Sequence, residues 1–132
     1  MAKYVPIGTS AAVEKRVEFQ HTLAARWPEL PSVLSTPRMI DWMEVAGFEA
    51  LRSFCEGDEI SVGTAINVNH RAPVGVGELV RCEAVVESIN DRFITFRVTA
   101  QSGGRVFGEG TIDRVIVNMS KFEGKFRTAR RS

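Results

Sequence analysis

The stretch STPRMIDWMEVAGFEALRSFCEG, Ser35 to Gly57, decides the reading of this chain. Thr36 suits a helix N-cap, and Pro37 suits the first helical position because its missing N–H costs nothing there. Met39, Ile40, Met43, Gly47, Phe48, Leu51, Phe54 and Cys55 then recur at steps of three and four, which is one apolar face of a helix. Gly57 ends it. At roughly 20 residues such a helix is about 30 Å long, enough to cross a small domain from side to side. Trp42 falls opposite the apolar face, so that side is expected to be covered as well, by a partner subunit.

Upstream, Val13 to Leu23 reads as a first strand and Arg26 to Ser35, with Pro28 and Pro31, as a loop or short lid. Downstream, Ile60 to Arg71, Glu78 to Ile89, Arg92 to Gln101 and Arg105 to Ser120 are rich in Val, Ile, Thr and Phe and read as strands. Pro73 with Gly75 and Gly77, then Asn90-Asp91, then Gly103-Gly104 separate them, the last two short enough for tight hairpins. With no internal repeat or linker, residues 1–132 are expected to form one domain of the α+β class.

The bulk properties narrow the function by exclusion. A composition of 44% hydrophobic and 25% charged residues is that of a globular protein. The formal net charge of +1 points to neither nucleic acid nor a membrane surface. Basic residues do cluster at the end of the chain, at Lys121, Lys125, Arg127, Arg130 and Arg131, either as a frayed solvated terminus or as partners for phosphates. Cys55 and Cys82 lie in no metal-ligand or CxxC spacing, as expected of reduced thiols. Residues 1–10 lack the apolar run of a signal peptide, and no stretch approaches a membrane span, so a soluble cytoplasmic protein is expected. No nucleotide-binding, hydrolase-elbow or zinc motif occurs, and neither metal nor cofactor is expected.

Three residues stand out chemically. Glu44 falls within the apolar arc of the helix, about 40° from Ile40 and Phe48 on the wheel. A carboxylate there must be paired, or else desolvated with its pKa raised and so suited to general-base work. His70 ends a strand whose one side carries Val62, Thr64, Ile66 and Val68, with Gly63, Ala65, Asn67 and Asn69 on the other. It is either a satisfied terminal histidine or a proton carrier. Thr36 is either a cap alone or a reactive hydroxyl, two turns and about 12 Å from Glu44 along the helix. Gly63 offers a backbone N–H for an oxyanion, or else marks a bulge. Arg114, between Ile112 and Ile116 on one strand face, needs a counter-charge, for which Glu44 is the obvious candidate.

The run Ser35-Thr36-Pro37 to Met43-Glu44, then Val62-Gly63-Thr64-Ala65-Ile66-Asn67-Val68-Asn69-His70, then Ala72-Pro73 with Gly77, resembles the fluoroacetyl-CoA thioesterase family. The likeness continues through Gly110-Thr111, Arg114 and Lys121-Phe122 and so covers most of the chain from Pro28 onward. It implies a hot-dog fold, one long central helix wrapped by an antiparallel sheet. It also implies a catalytic trio at Thr36, Glu44 and His70, with Gly63 near the thioester carbonyl and Arg114 near the site. A homodimer whose sheets join, each site lying between subunits and taking an acyl-CoA, follows from the same likeness.

The implied reaction is hydrolysis of a short-chain acyl-CoA thioester. In the family the lid ahead of the catalytic threonine shapes the acyl pocket. Here residues 27–34 contain no phenylalanine, so Trp27 and Leu30 stand in for an aromatic gate and fluoroacetyl selectivity is not expected. Two rival readings remain: an acyl-CoA-binding module without turnover, and a hot-dog enoyl-CoA hydratase. The hydratase pattern has an Asp five residues before the His, where this chain has Ala65.

Overall fold

The computed structural model describes residues 4–131, and the side chains of residues 4–125. In chain order the elements are β1 (Ser10–Arg16), a 3-10 turn (Phe19–His21), α1 (Leu23–Arg26) and α2 (Thr36–Leu51). A second 3-10 turn (Arg52–Phe54), β2 (Glu59–His70), β3 (Leu79–Asn90), β4 (Phe93–Ser102), β5 (Arg105–Asn118) and α3 (Met119–Arg131) follow. The strands form one antiparallel sheet in the order β1-β3-β4-β5-β2. It curls around α2, which is the hot-dog arrangement.

Helix α2 is buried on more than one face, as a wrapped helix must be. Met39, Met43, Ala46 and Leu51 are fully covered, against Val80, Cys82, Ile94, Phe96, Phe107, Ile112 and Ile116 of the sheet. Trp42 is covered too, but from within the chain. The ring of His21 meets it edge-on at 5.1 Å, so no partner subunit is needed on that side. The turn that carries His21 also corrects the expected first strand. Pairing with β3 stops at Arg16, and residues 19–26 wind into a 3-10 turn and the short α1. His21 holds that turn by accepting the Glu18 N–H at Nδ1 and, through its carbonyl, the Ser35 N–H.

The hairpins follow from local chemistry. Gly103 and Gly104, both at positive φ, make the two-residue β4–β5 loop, and Asp91 at φ 60° serves the β3–β4 loop. The last strand ends at Asn118 and gives way to α3 where strand was expected to reach Ser120. Asp58 caps the new helix, accepting from the Ser120 N–H and hydroxyl, and those bonds pull its carboxyl below the usual range. Of the terminal basic cluster, the side chains of Arg127, Arg130 and Arg131 lie outside the described residues.

The register between β2 and β5 shifts between Gly63 and Ala65, leaving Thr64 unpaired. A bulge of one residue reverses the alternation of side chains along a strand. Before it Glu59 and Ser61 are the buried positions, Ser61 against Arg114; after it Val68 and His70 turn inward, His70 onto Thr36 of the helix. Gly63 and His70, which strict alternation puts on opposite faces, therefore lie on the same one.

Gly108 of β5 lies against Met39 of α2. A Cβ there would lie 2.6 Å from Met39 Sδ and 2.9 Å from the Asn69 carbonyl oxygen. Gly108→Ala is expected to lower stability by about 1–3 kcal/mol through overpacking. A urea midpoint that falls at unchanged slope is the check.

Candidate active site

Two polar groups grow out of α2, one at its start and one two turns later. At the start, Ser35 is the N-cap, accepting the Arg38 N–H at 3.3 Å, and Thr36 is already the first helical residue. The cap thus moves one residue from its expected position, and that shift has a chemical consequence. The Thr36 hydroxyl is not needed for capping and contacts His70 Nδ1 at 2.9 Å instead.

The imidazole is held on its other sides. Phe107 of β5 packs against the ring at 5.5 Å between centroids, and the Ala72 backbone hydrogen-bonds to it. Burial pushes the His70 pKa below its ordinary value, and the Ala72 bond only partly opposes this. The ring is neutral at neutral pH and so able to take a proton from the hydroxyl beside it. The pair opens on a pocket of about 250 Å³, walled by Leu23, Val33, Leu34, Ala72 and Pro73.

Two turns on, Glu44 makes the second group. Its Oε1 accepts from Arg114 Nη1 at 3.1 Å, with the arginine side chain only 7% exposed and the glutamate 26%. The arginine reaches Glu44 by crossing Gly47, where a Cβ would come within 3.1 Å of Arg114 Cδ. Ser61 of β2 takes the rest of the guanidinium, accepting Nε–H at its hydroxyl and Nη2–H at its carbonyl, both at 2.9 Å. Burial lowers the Arg114 pKa and the Glu44 charge raises it again, which leaves a cation at neutral pH. The other carboxylate oxygen, Oε2, rests on Gly63; a Cβ built there would overlap it, so a side chain at 63 would displace the carboxylate from its place beside Arg114.

Within one chain, then, Thr36 meets His70, and Glu44 meets Gly63 and Arg114. The two groups do not meet each other: about 12 Å of helix rise separates Thr36 from Glu44. Trp27 lines a different groove, on the far side of α1, with Arg26 over its ring at 4.7 Å. Leu30 is 39% exposed and lines neither that groove nor the Thr36–His70 pocket. Ser61, Phe107 and Leu23 are site residues that sequence reasoning missed. A lone serine, phenylalanine or leucine carries no chemical signal, and only the strand register reveals that Ser61 faces inward. Among the described residues no cluster of His, Cys, Asp or Glu is arranged to hold a metal ion, and no helix is long and apolar enough to cross a membrane.

Residues 17–120 match the family described as fluoroacetyl-CoA-specific thioesterase. A fluoroacetyl-CoA thioesterase from Streptantibioticus cattleyicolor is 34% identical over 113 residues, 86% of this chain and 81% of that protein. A solved structure of a variant fluoroacetyl-CoA-specific thioesterase, in complex with fluoroacetate and CoA, superposes with a TM-score of 0.82. It is 31% identical over 89% of this chain and 98% of the other. A thioesterase superfamily member from Thermus thermophilus superposes with a TM-score of 0.90 at 29% identity, covering 97% and 95%.

The buried guanidinium makes a stability test. Ser61→Ala, which removes one charge-assisted bond, is expected to cost about 1–2 kcal/mol. Arg114→Met, which strands the Glu44 carboxylate, is expected to cost about 2–4 kcal/mol, with Glu44→Gln in the same background restoring part of it. Denaturant midpoints of wild type, Arg114→Met, Glu44→Gln and the double variant provide the cycle.

Proposed function

The chain belongs to the fluoroacetyl-CoA-specific thioesterase family, and from that footing we propose that it hydrolyses a short-chain acyl-CoA to the free acid and CoA, using Thr36, Glu44 and His70. The observation that carries the reading is the 2.9 Å contact of the Thr36 hydroxyl with His70 Nδ1, opening on a small pocket of mixed polar and apolar lining. The acyl group enters that pocket, and the thioester carbonyl is polarised by the Gly63 N–H. Glu44 with Thr36 either orients a water or forms a transient acyl-enzyme. In the first route the water oxygen forms the new C–O bond as the C–S bond breaks, and His70 passes the water proton to the departing thiolate. In the second an enzyme oxygen forms that bond, and a water then cleaves the acyl-enzyme, releasing the acid, with its protons shared between the thiolate and the freed enzyme group.

The two polar groups become one site in a homodimer. Strand β2 is at the sheet edge, residues 63–67 are exposed, and Ile66 is 45% exposed. From Ile60 to Asn69 it carries neither proline nor charge, two of the features that guard a free edge. Antiparallel pairing of two β2 strands about an axis between Ile66 and Asn67 sets Gly63 opposite the partner subunit's His70. Each Thr36–His70 pair then faces the partner's Glu44, and the pantetheine arm leaves between subunits. Free Cys55 and Cys82, the latter with its thiol pushed up to about 12 by burial, suit a reducing cytoplasm, where acyl-CoA is available.

Thiol release from acetyl-, propionyl- and butyryl-CoA tests this. Thr36→Ala and Glu44→Gln are each expected to lose about 10²–10⁴-fold in kcat. Subunits of the two variants, unfolded together and refolded, are expected to regain about one quarter of wild-type activity, since half the dimers hold one intact site. No recovery in a mixture shown to exchange subunits refutes the shared site, and full activity in both single variants refutes the chemistry.

The pH profile has a definite sign. Neutral His70 is the working form, and burial lowers its pKa, so kcat/KM is flat near neutrality and falls only as pH drops below the ordinary imidazole range, about 6.5. A profile measured from about pH 5 to 8 whose acid limb lies above that value contradicts the assignment.

A further inference from the structure

Beyond α1 from the Thr36–His70 pocket lies a larger groove of about 650 Å³, with Ala25, Trp27 and Pro37 among its apolar lining and Arg26 and Arg38 among its polar. Leu23 is the one residue common to the linings of both spaces. We propose that Leu23 is the residue that sets acyl-chain length, closing the small pocket off from the groove behind it. This rests on the proposed thioesterase reading, because it takes the Thr36–His70 pocket as the acyl site.

The rest of the partition is backbone that cannot yield. The Leu23 N–H donates to the Val33 carbonyl at 3.0 Å, the Leu34 N–H donates to the Val74 carbonyl at 2.7 Å, and Thr22 bridges to Leu34. Ser35 and Pro37 line the groove while Thr36 lines the pocket, so the first turn of α2 forms the other part of the divide. That turn is pinned by the Ser35 cap and by the Ser35 N–H donated to the His21 carbonyl. A side chain at position 23 is what remains to open or close the passage. Leu23 is half-buried and its backbone bonds do not depend on its side chain.

The consequence is a substrate class. With Leu23 in place the pocket of about 250 Å³ suits short acyl groups, and its open side leaves room for the thioester and the CoA arm. A longer alkyl chain meets the leucine. Without it, the chain passes over α1 toward Trp27 and Pro37.

The experiment is the ratio of kcat/KM for hexanoyl-CoA to that for acetyl-CoA, measured for wild type, Leu23→Ala and Leu23→Trp. Leu23→Ala is expected to raise the ratio by about tenfold or more, the scale on which a pocket discriminates a methylene. Leu23→Trp is expected to lower the butyryl-to-acetyl ratio by a similar factor, and far-UV circular dichroism with melting curves establishes that each variant folds. If one variant fails to fold, the other decides, since the two act in opposite directions. Folded variants that keep the wild-type ratios overturn the role of Leu23 while leaving the thioesterase reading intact. A wild-type protein that hydrolyses none of these thioesters overturns the reading itself, and the proposal with it.

Discussion

A guanidinium buried between a helix and a sheet has to find its counter-charge and its hydrogen bonds inside the protein, and Arg114 finds them on two other elements. Its stem crosses α2 at Gly47, its end groups reach Glu44 of α2 and Ser61 of β2, and its own backbone belongs to β5. Three elements are thereby locked in one register by one side chain. Removing a partner leaves an uncompensated charge in a poorly solvated place, which is far costlier than the pair is favourable. The glycines nearby follow from the same requirement. Gly47 admits the arginine, and Gly63 admits the carboxylate that answers it.

The second constraint is the single unpaired residue in β2. Thr64 takes up the register shift against β5, and the shift turns both Gly63 and His70 toward α2. Helix and strand then touch at two places, Thr36 on His70 and Glu44 on Gly63. Each contact couples a polar side chain to a backbone feature that makes room for it: the Ser35 cap frees the threonine hydroxyl, and the missing Cβ frees space at the carboxylate. These two contacts stand two turns apart along the helix, and the strand that makes both of them lies at the sheet edge.

The segment between β1 and α2 has a different logic. It contributes little regular structure, yet it closes both the far side of α2, through His21 on Trp42, and the wall of the pocket, through Leu23 and Leu34. Backbone hydrogen bonds to residues 33–34 and 74 hold it down, so its side chains are displayed on a fixed frame. Side chains can change there without disturbing the sheet.

Periodicity and composition by themselves determined the long helix, the four strands after it and the tight turns. These depend on interactions between residues near in sequence: apolar side chains at helical or strand spacing, proline at a helix start, glycine pairs at positive φ. The odd placement of Glu44 on an apolar face was legible for the same reason. What tertiary structure alone decided was the partner of each polar group. The bulge at Thr64 depends on strand register, Ser35 displaces Thr36 as cap through local geometry too fine for a pattern, and Ser61 matters only because Arg114 arrives from residues far along the chain. The 3-10 turn at Phe19–His21 escaped because a single turn is too short to show a period, and the contact of its histidine with Trp42 lies on another element. Distances between segments are set by packing, and packing is not written in any one stretch of chain.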